Sequence, residues 1–349
     1  MTLSVLLLLV GIIIILACCE LFVNAVEWLG KLLGLGEGAV GSILAAVGTA
    51  MPETMIPIIA ILFMDSPDAH DIGIGAILGA PFLLSTFAFF MVGVSVLGFS
   101  ASGRRTPEMK VNTVILSRDM RYFLIVYSIA IGAAFIPSNF SIAIGSVFIP
   151  HLYIKWAVAV LLLGMYGYYV YRTLQEPGIE GESLNPLYFS RTAAPPRLSM
   201  VIVQFFIALG GIILGARIFV GSLETIAHEM QISALVLSLL LAPWATELPE
   251  KFNSVLWVRR GKDTLAMGNI SGAMVFQSCI PVAIGIAFTK WDLTTTANFP
   301  ALISGFIALT STTIVFSSQK ILHRLSPKVL LIGFPFWLLF VLYVIFYAV

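Results

Sequence analysis

The chain has 349 residues, of which 59% are hydrophobic and only 11% charged, with a formal net charge of +1. Soluble domains carry roughly 25% charged residues, so these few charges cannot cover a water-soluble globule of this size and most of the exterior must face lipid. The near-zero net charge and the lack of a basic tail exclude nucleic acid as a partner, and Cys18, Cys19 and Cys279 lie in apolar stretches as small core residues rather than a disulfide or metal framework.

Apolar stretches of about 20 residues, broken by polar or Pro/Gly-containing segments, predict ten membrane helices. The expected spans are 3–31, 37–64, 71–97, 118–136, 151–173, 198–225, 231–258, 263–288, 298–316 and 328–347. Met1 to Cys19 contains no Lys or Arg, so the first span lacks the basic leader of a signal peptide and reads as a retained helix. Between the fourth and fifth spans, 137–150 is itself fairly apolar and blurs their boundary. The longest polar connection, 174–197, holds Glu176, Glu180, Glu182, Arg191 and Arg197 and divides the chain into five-span blocks, 1–173 and 198–349.

Charge placement orients this map. With the N-terminus outside, the connections after the odd-numbered spans are cytoplasmic, and with their flanks they hold 15 of the 19 basic residues. Only Lys155 and Lys290 fall outside, and Arg217 and Lys251 lie within spans. The expectation is a multi-pass protein of the plasma (inner) membrane.

The two blocks are related. Glu20-Leu21-Phe22-Val23-Asn24-Ala25-Val26-Glu27 aligns with Arg217-Ile218-Phe219-Val220-Gly221-Ser222-Leu223-Glu224 at an offset of 197, which also maps Thr49 onto Thr246, Pro52 onto Pro249 and Glu53 onto Glu250. After a short deletion the offset becomes 193, and Gly75 and Gly79 map onto Gly268 and Gly272. An odd number of spans per block means that the second enters the membrane from the opposite side. Inverted repeats of this kind build secondary transporters with a site at the midplane.

The chemistry concentrates on carboxylates. All six aspartates are expected in connections or at helix ends, whereas Glu53, Glu247 and Glu250 lie deep, with Glu20 also inside the first span. A charge at the bilayer centre costs about 2.5–3.5 kcal/mol on insertion scales, so three such acids need cations, partners or protons. Pro52 and Pro249 stand mid-span beside Glu53 and Glu250. Each proline deletes a backbone donor and exposes carbonyl oxygen near a carboxylate, an arrangement suited to a hard cation such as Ca²⁺. A structural ion pair or a permanently protonated glutamate is the competing reading, which the matched positions in the two repeats disfavour. His70, His151, His228 and His323 all lie in connections and offer no buried proton relay.

At these residues the chain resembles a known family. Gly48-Thr49-Ala50-Met51-Pro52-Glu53 and Ala245-Thr246-Glu247-Leu248-Pro249-Glu250 are similar to the G-T-S-x-P-E repeat motif of the Ca²⁺/cation antiporters, which include the Na⁺/Ca²⁺ exchangers. Gly268-Asn269-Ile270-Ser271-Gly272-Ala273 resembles the G-N-x-x-G-S motif of the following span, and Gly75-Ala76-Ile77-Leu78-Gly79-Ala80 is its degenerate twin. The resemblance implies an all-α exchanger fold of ten transmembrane helices in two inverted repeats. It also implies Glu53 and Glu250 as central cation ligands, Thr49 and Thr246 as flanking oxygens with the Ala46 and Pro243 carbonyls, and Gln277 as the polar position of the eighth span. The transported ion would be Ca²⁺ or another divalent cation, with Na⁺ or H⁺ as counter-ion and no cofactor.

Departures from the motif are equally specific. Its serine is Ala50 in the first repeat and Glu247 in the second, the next span's serine is Ala80 and Ala273, and Leu84 stands opposite Gln277. Glu247 and Lys251 are spaced i, i+4 on one helix face. Either the Lys251 ammonium replaces a transported monovalent ion, or it snorkels out of the site. An intramembrane enzyme is excluded by the absence of paired deep aspartates and of a second histidine after His228-Glu229. A transport-inactive cation sensor or a channel on an exchanger scaffold is the alternative to a secondary active antiporter.

Overall fold

A computed structural model describes residues 1–33, 51–137, 140–144, 147–175, 185–190 and 195–348, with the backbone alone at 67, 141–144, 147–149, 174, 248–250 and 347–348. Helix dominates. α1 is Thr2–Leu32, α2 enters the described residues as Met51–Leu62, and α3 joins Pro67–Leu83 through a π turn at Leu84–Ala88 to Phe89–Ala101. α4 is Thr113–Ala133, α5 His151–Leu174, α6 Leu198–Met230, α7 Ala234–Arg259, α8 Asp263–Phe288 and α9 Phe299–Leu322. α10 comprises Pro327–Leu330 and Gly333–Tyr343, ending in a π turn at Val344–Ala348. The apolar segment between α4 and α5 forms an antiparallel hairpin, Ser141–Ile144 with Val147–Pro150.

Among the described residues, seven helices (α1, α3, α5, α6, α8, α9 and α10) are long and apolar enough to cross a membrane. In α7 the described residues include the shorter apolar run Ala234–Glu247. α2 is described only from Met51, and α4 carries Arg118, Asp119 and Arg121 in its first half. Burial sorts the helices into an inner and an outer set. In the most apolar stretch of α8, 72% is buried within the protein, against 28% in both α1 and α6. α8 is therefore central, while α1 and α6 present wide apolar faces outward, including Leu3, Ile13, Phe206 and Ile207. Such faces have no role in water and match a lipid surround.

Missing side chains let backbones meet at two crossings. A Cβ on Gly11 of α1 would stand 3.0 Å from the Gly215 carbonyl oxygen of α6. A Cβ on Gly75 or Gly79 of α3 would stand 2.3 Å from the Leu235 or Leu239 carbonyl oxygen of α7. This is the small-residue packing by which membrane helices approach closely without a hydrophobic driving force. Pro243 sharpens the second crossing, because it has no amide to give the Leu239 carbonyl one turn earlier.

Buried polar ties fix the ends of the helices. Arg105 grips Asp263 at the start of α8 in two bonds, Nη1–Oδ1 at 2.7 Å and Nη2–Oδ2 at 2.8 Å, and the Lys110 amide donates to the same carboxylate at 2.8 Å. The described part of the long connection, 185–190, is pinned between α1 and α6. Trp28 Nε1 donates to the Asn185 carbonyl at 2.9 Å, and Gln204 Oε1 accepts from the Phe189 amide at 3.0 Å.

One expectation about the aspartates is corrected. Asp119 lies inside α4 and is only 2% exposed. α4 begins earlier than its apolar pattern indicates, because Asn112 Oδ1 caps it by accepting from the Val114 and Ile115 amides at 3.0 and 3.2 Å. Asp119 accepts from Ser271 Oγ of α8 at 2.8 Å, Tyr169 Oη of α5 at 3.0 Å and Arg118 Nη2 at 3.0 Å. His228 is likewise in the last turn of α6 rather than in a connection, where its Nε2 meets Asp68 Oδ2 at 2.7 Å.

Candidate cation site

The Pro-Glu segment of α2 is buried from Pro52 to Pro57. Pro57, inside the helix, has no amide to give the carbonyl of Glu53 one turn earlier, so a backbone acceptor accompanies that carboxylate along the same helix. Glu53 is 6% exposed and lines a small cavity with Ile56 of α2, Ala76 and Ala80 of α3, and Ala242, Pro243 and Thr246 of α7. The cavity measures about 10 Å³ and admits the centre of about one water-sized sphere. Glu53 and Thr246, predicted as ligands from opposite halves of the chain, therefore face one space. The Gly75–Gly79 crossing is what allows it, since any side chain there would push α3 off α7 and open the gap between Ala80 and Pro243.

Thr246 is 5% exposed, and its Oγ1 donates to the Ala242 carbonyl at 3.1 Å. Its lone pairs remain able to accept or to coordinate. Ala80, where the motif would have serine, adds no oxygen to the cavity.

The next residue along α7 turns elsewhere. Glu247 is fully buried, Lys251 is 4% exposed and Gln277 of α8 is 1% exposed. Lys251 Nζ forms an ion pair with Glu247 Oε2, and Gln277 Nε2 donates to Glu247 Oε1 at 3.1 Å. Both carboxylate oxygens are thus engaged, one by a tethered cation. The snorkelling alternative for Lys251 does not hold, because the ammonium lies inward against Glu247. Gln277 Oε1 has no hydrogen-bond partner among the described residues, which leaves one buried acceptor beside the pair.

The predicted residues thus fall into two groups, Glu53 with Thr246 and Glu247 with Gln277 and Lys251. Thr49 and the Ala46 carbonyl lie outside the described residues, and Glu250 lies on α7 two turns above the helix end with its side chain outside them. Glu20 lies within α1 as expected, at the protein surface, and its Oε1 accepts from Tyr188 Oη. Ile56, Ala76 and Ala242 were not singled out from the sequence, because apolar residues in an apolar span carry no signal until neighbours are known. Asp119 and Ser271 had a signal, a carboxylate and a hydroxyl in apolar surroundings, but only the fold pairs them. Asp68 and Glu224, both half-buried, and the exposed His228 have ligand atoms within 4.8 Å of one another.

The family described as sodium/calcium exchanger protein matches residues 3–175 and 200–348. The chain is 24% identical over 296 residues to inner membrane protein YrbG of Escherichia coli (strain K12), covering 84% of this chain and 82% of that protein. Its fold is similar to the crystal structure of the H⁺/Ca²⁺ exchanger CAX, with a TM-score of 0.71 at 17% identity, covering 99% of this chain and 82% of that one. It is also similar to the sodium-calcium exchanger NCX_Mj, with a TM-score of 0.56 at 19% identity over 100% and 99% of the two chains.

Proposed function

Because the chain belongs to the sodium/calcium exchanger protein family, we propose that it is a secondary antiporter exchanging a divalent cation, Ca²⁺ in the first place, for protons. Glu53 and Glu250 are the central ligands in this reading. Thr246 and Thr49 add hydroxyl oxygens, and Glu247 with Gln277 forms the adjoining wall. Site exposure alternates as one inverted repeat moves against the other around the shared site.

The observation that carries the ion assignment is the buried Glu247–Lys251 pair. Glu53, Glu247 and Glu250 bring three negative charges and Lys251 one positive charge, which leaves two negative charges at the site. One divalent cation neutralises them, and so do two protons. Two Na⁺ ions would each need an oxygen cage, yet Ala50, Ala80, Ala273 and Leu84 stand where oxygens would complete such cages. A proton needs only a carboxylate oxygen. An emptied buried carboxylate is costly as an anion and inexpensive as an acid, so protonation is the natural second state.

The orientation proposed has the N-terminus outside, repeats at 1–173 and 198–349, and a location in the plasma (inner) membrane. Two groupings of charge support it. Arg118, Arg121, Arg172 and Lys320, all near predicted cytoplasmic connections, line one cavity, while the two residues predicted outside meet as Lys155 Nζ donates to the Lys290 carbonyl. The test is ⁴⁵Ca²⁺ uptake into proteoliposomes under imposed pH or Na⁺ gradients. Uptake driven by a pH gradient alone, and lost in Glu53→Gln and Glu250→Gln, is the expected result. Uptake driven only by Na⁺ refutes the proton assignment, and activity surviving both substitutions refutes the site.

A further inference from the structure

Away from the carboxylates, α4, α5 and α9 enclose a much larger cavity of about 630 Å³. Its charges are of one sign. Arg118, Arg121, Arg172 and Lys320 line it, and among the described residues no carboxylate does. Arg118 is held by Asp119 and lies over the Tyr169 ring at 5.2 Å. Among the described residues, Arg121, Arg172 and Lys320 have no carboxylate partner. Three cations gathered around one space repel one another, and an anion there lowers that cost.

Gln319, also in the lining, is 2% exposed. Its Nε2 donates to the Thr113 carbonyl at 3.0 Å and to Ser117 Oγ at 2.9 Å, while its Oε1 has no partner. The amide cannot be flipped to satisfy that oxygen, because a backbone carbonyl only accepts and so fixes the nitrogen against Thr113. The cavity therefore offers cations for an anion and one buried acceptor for a hydroxyl or amine hydrogen. Its rim is apolar: Val114 is 75% exposed and Ile125 48% exposed.

We propose that this cavity binds a phosphate-bearing headgroup, that of an anionic phospholipid whose polar hydrogens reach Gln319 and whose acyl chains cover Val114 and Ile125. A soluble phosphate satisfies the cations but leaves the apolar rim unmet. Basic pockets between membrane helices at the cytoplasmic side are suited to such headgroups.

The purified full-length chain, in detergent, would be titrated separately with phosphatidylglycerol, phosphatidylcholine and sodium phosphate. Bound lipid would be read by native mass spectrometry and the unfolding midpoint by thermal melting. Phosphatidylglycerol is expected to bind and stabilise the protein, and the combined variant Arg121→Gln, Arg172→Gln, Lys320→Gln to weaken it by at least about tenfold. Phosphatidylcholine should bind both proteins equally and weakly. Equal phosphatidylglycerol binding by the wild type and the variant overturns the proposal. Stabilisation by sodium phosphate alone, equal to that by the lipid, overturns the lipid source. If the triple variant does not fold, Lys320→Glu at an exposed position makes the same test, and unchanged lipid affinity there overturns the proposal.

Discussion

Glu53 and Glu247 sit in opposite circumstances, although both lie in segments that carry a Pro-Glu pair. Glu53 borders a cavity of about 10 Å³ walled by Ile56, Ala76, Ala80, Ala242 and Pro243. Among the described residues, Lys251 and Gln277 hold the two oxygens of Glu247. A buried carboxylate with its own tethered ammonium is close to neutral and binds no further ion strongly. Glu53, beside the cavity, is the carboxylate proposed to exchange. The difference teaches that a gained charge pair can simplify a transport site rather than enrich it, by removing one acid from the set that must be loaded and emptied.

Glu53→Gln tests the contrast most severely. The substitution keeps shape but removes the charge that attracts a divalent cation, and divalent uptake in proteoliposomes should fall to background. The double variant Glu247→Gln, Lys251→Met, which keeps the net charge of the site, should leave measurable uptake, because that carboxylate is already neutralised by its own lysine. Equal loss in both variants would erase the distinction between the two acids.

Lys251→Met comes next. It strands Glu247 as a buried carboxylate, and removing one partner of a buried pair costs about 3–5 kcal/mol. The unfolding midpoint should drop accordingly. The double variant Glu247→Gln, Lys251→Met should regain most of the loss, since an uncharged pair needs no compensation. Without that recovery, the pair is not the coupled unit described here. If Lys251→Met folds well enough to transport, its exchange should move additional charge per cycle, because Glu247 then needs a mobile cation of its own.

Gly79→Ala has a smaller expected effect. The added Cβ meets the Leu239 carbonyl at 2.3 Å and Pro243 Cγ at 2.8 Å, so α3 must move away from α7. Overpacking of this kind costs about 1–3 kcal/mol. Uptake should weaken more than stability does, because the wall that moves includes Ala80 and Pro243 of the Glu53 cavity. Gly98→Ala is the control, since a Cβ there meets nothing within 4 Å.

Much of this was legible without coordinates because lipid imposes strong rules. Long apolar runs, basic residues clustered in alternate connections and three deep acids follow from the cost of charge in hydrocarbon. Glu53, Thr246, Glu247 and Gln277 stood out as polar residues in apolar spans, and the structure brings them into two adjoining groups. The partition into those groups was not legible. Thr246 and Glu247 are sequence neighbours, yet they point about 100° apart around a helix, one to α2 and α3 and the other to α8. Asp119 also escaped, because the expected span 118–136 put it at a helix end, whereas the Asn112 cap starts α4 at Thr113. The cavity walls escaped for the opposite reason, since Ala76 and Ala242 differ from other alanines only in what faces them.

Thr246→Val carries the smallest predicted effect and bears most directly on the cavity. Valine preserves the branched shape but loses the hydroxyl that lines the space with Glu53 and bonds the Ala242 carbonyl at 3.1 Å. That carbonyl keeps its helical amide donor, so the stability loss should stay near the ordinary net value of one hydrogen bond, about 0.5–1.5 kcal/mol. If the hydroxyl also reaches the divalent ion, the apparent KM for that ion rises several-fold while the maximal rate changes little. Thr246→Ser, which keeps the oxygen, then restores the KM. A KM unchanged in Thr246→Val confines this hydroxyl to the helix backbone, and the contrast between the two regions then rests on Glu53 alone.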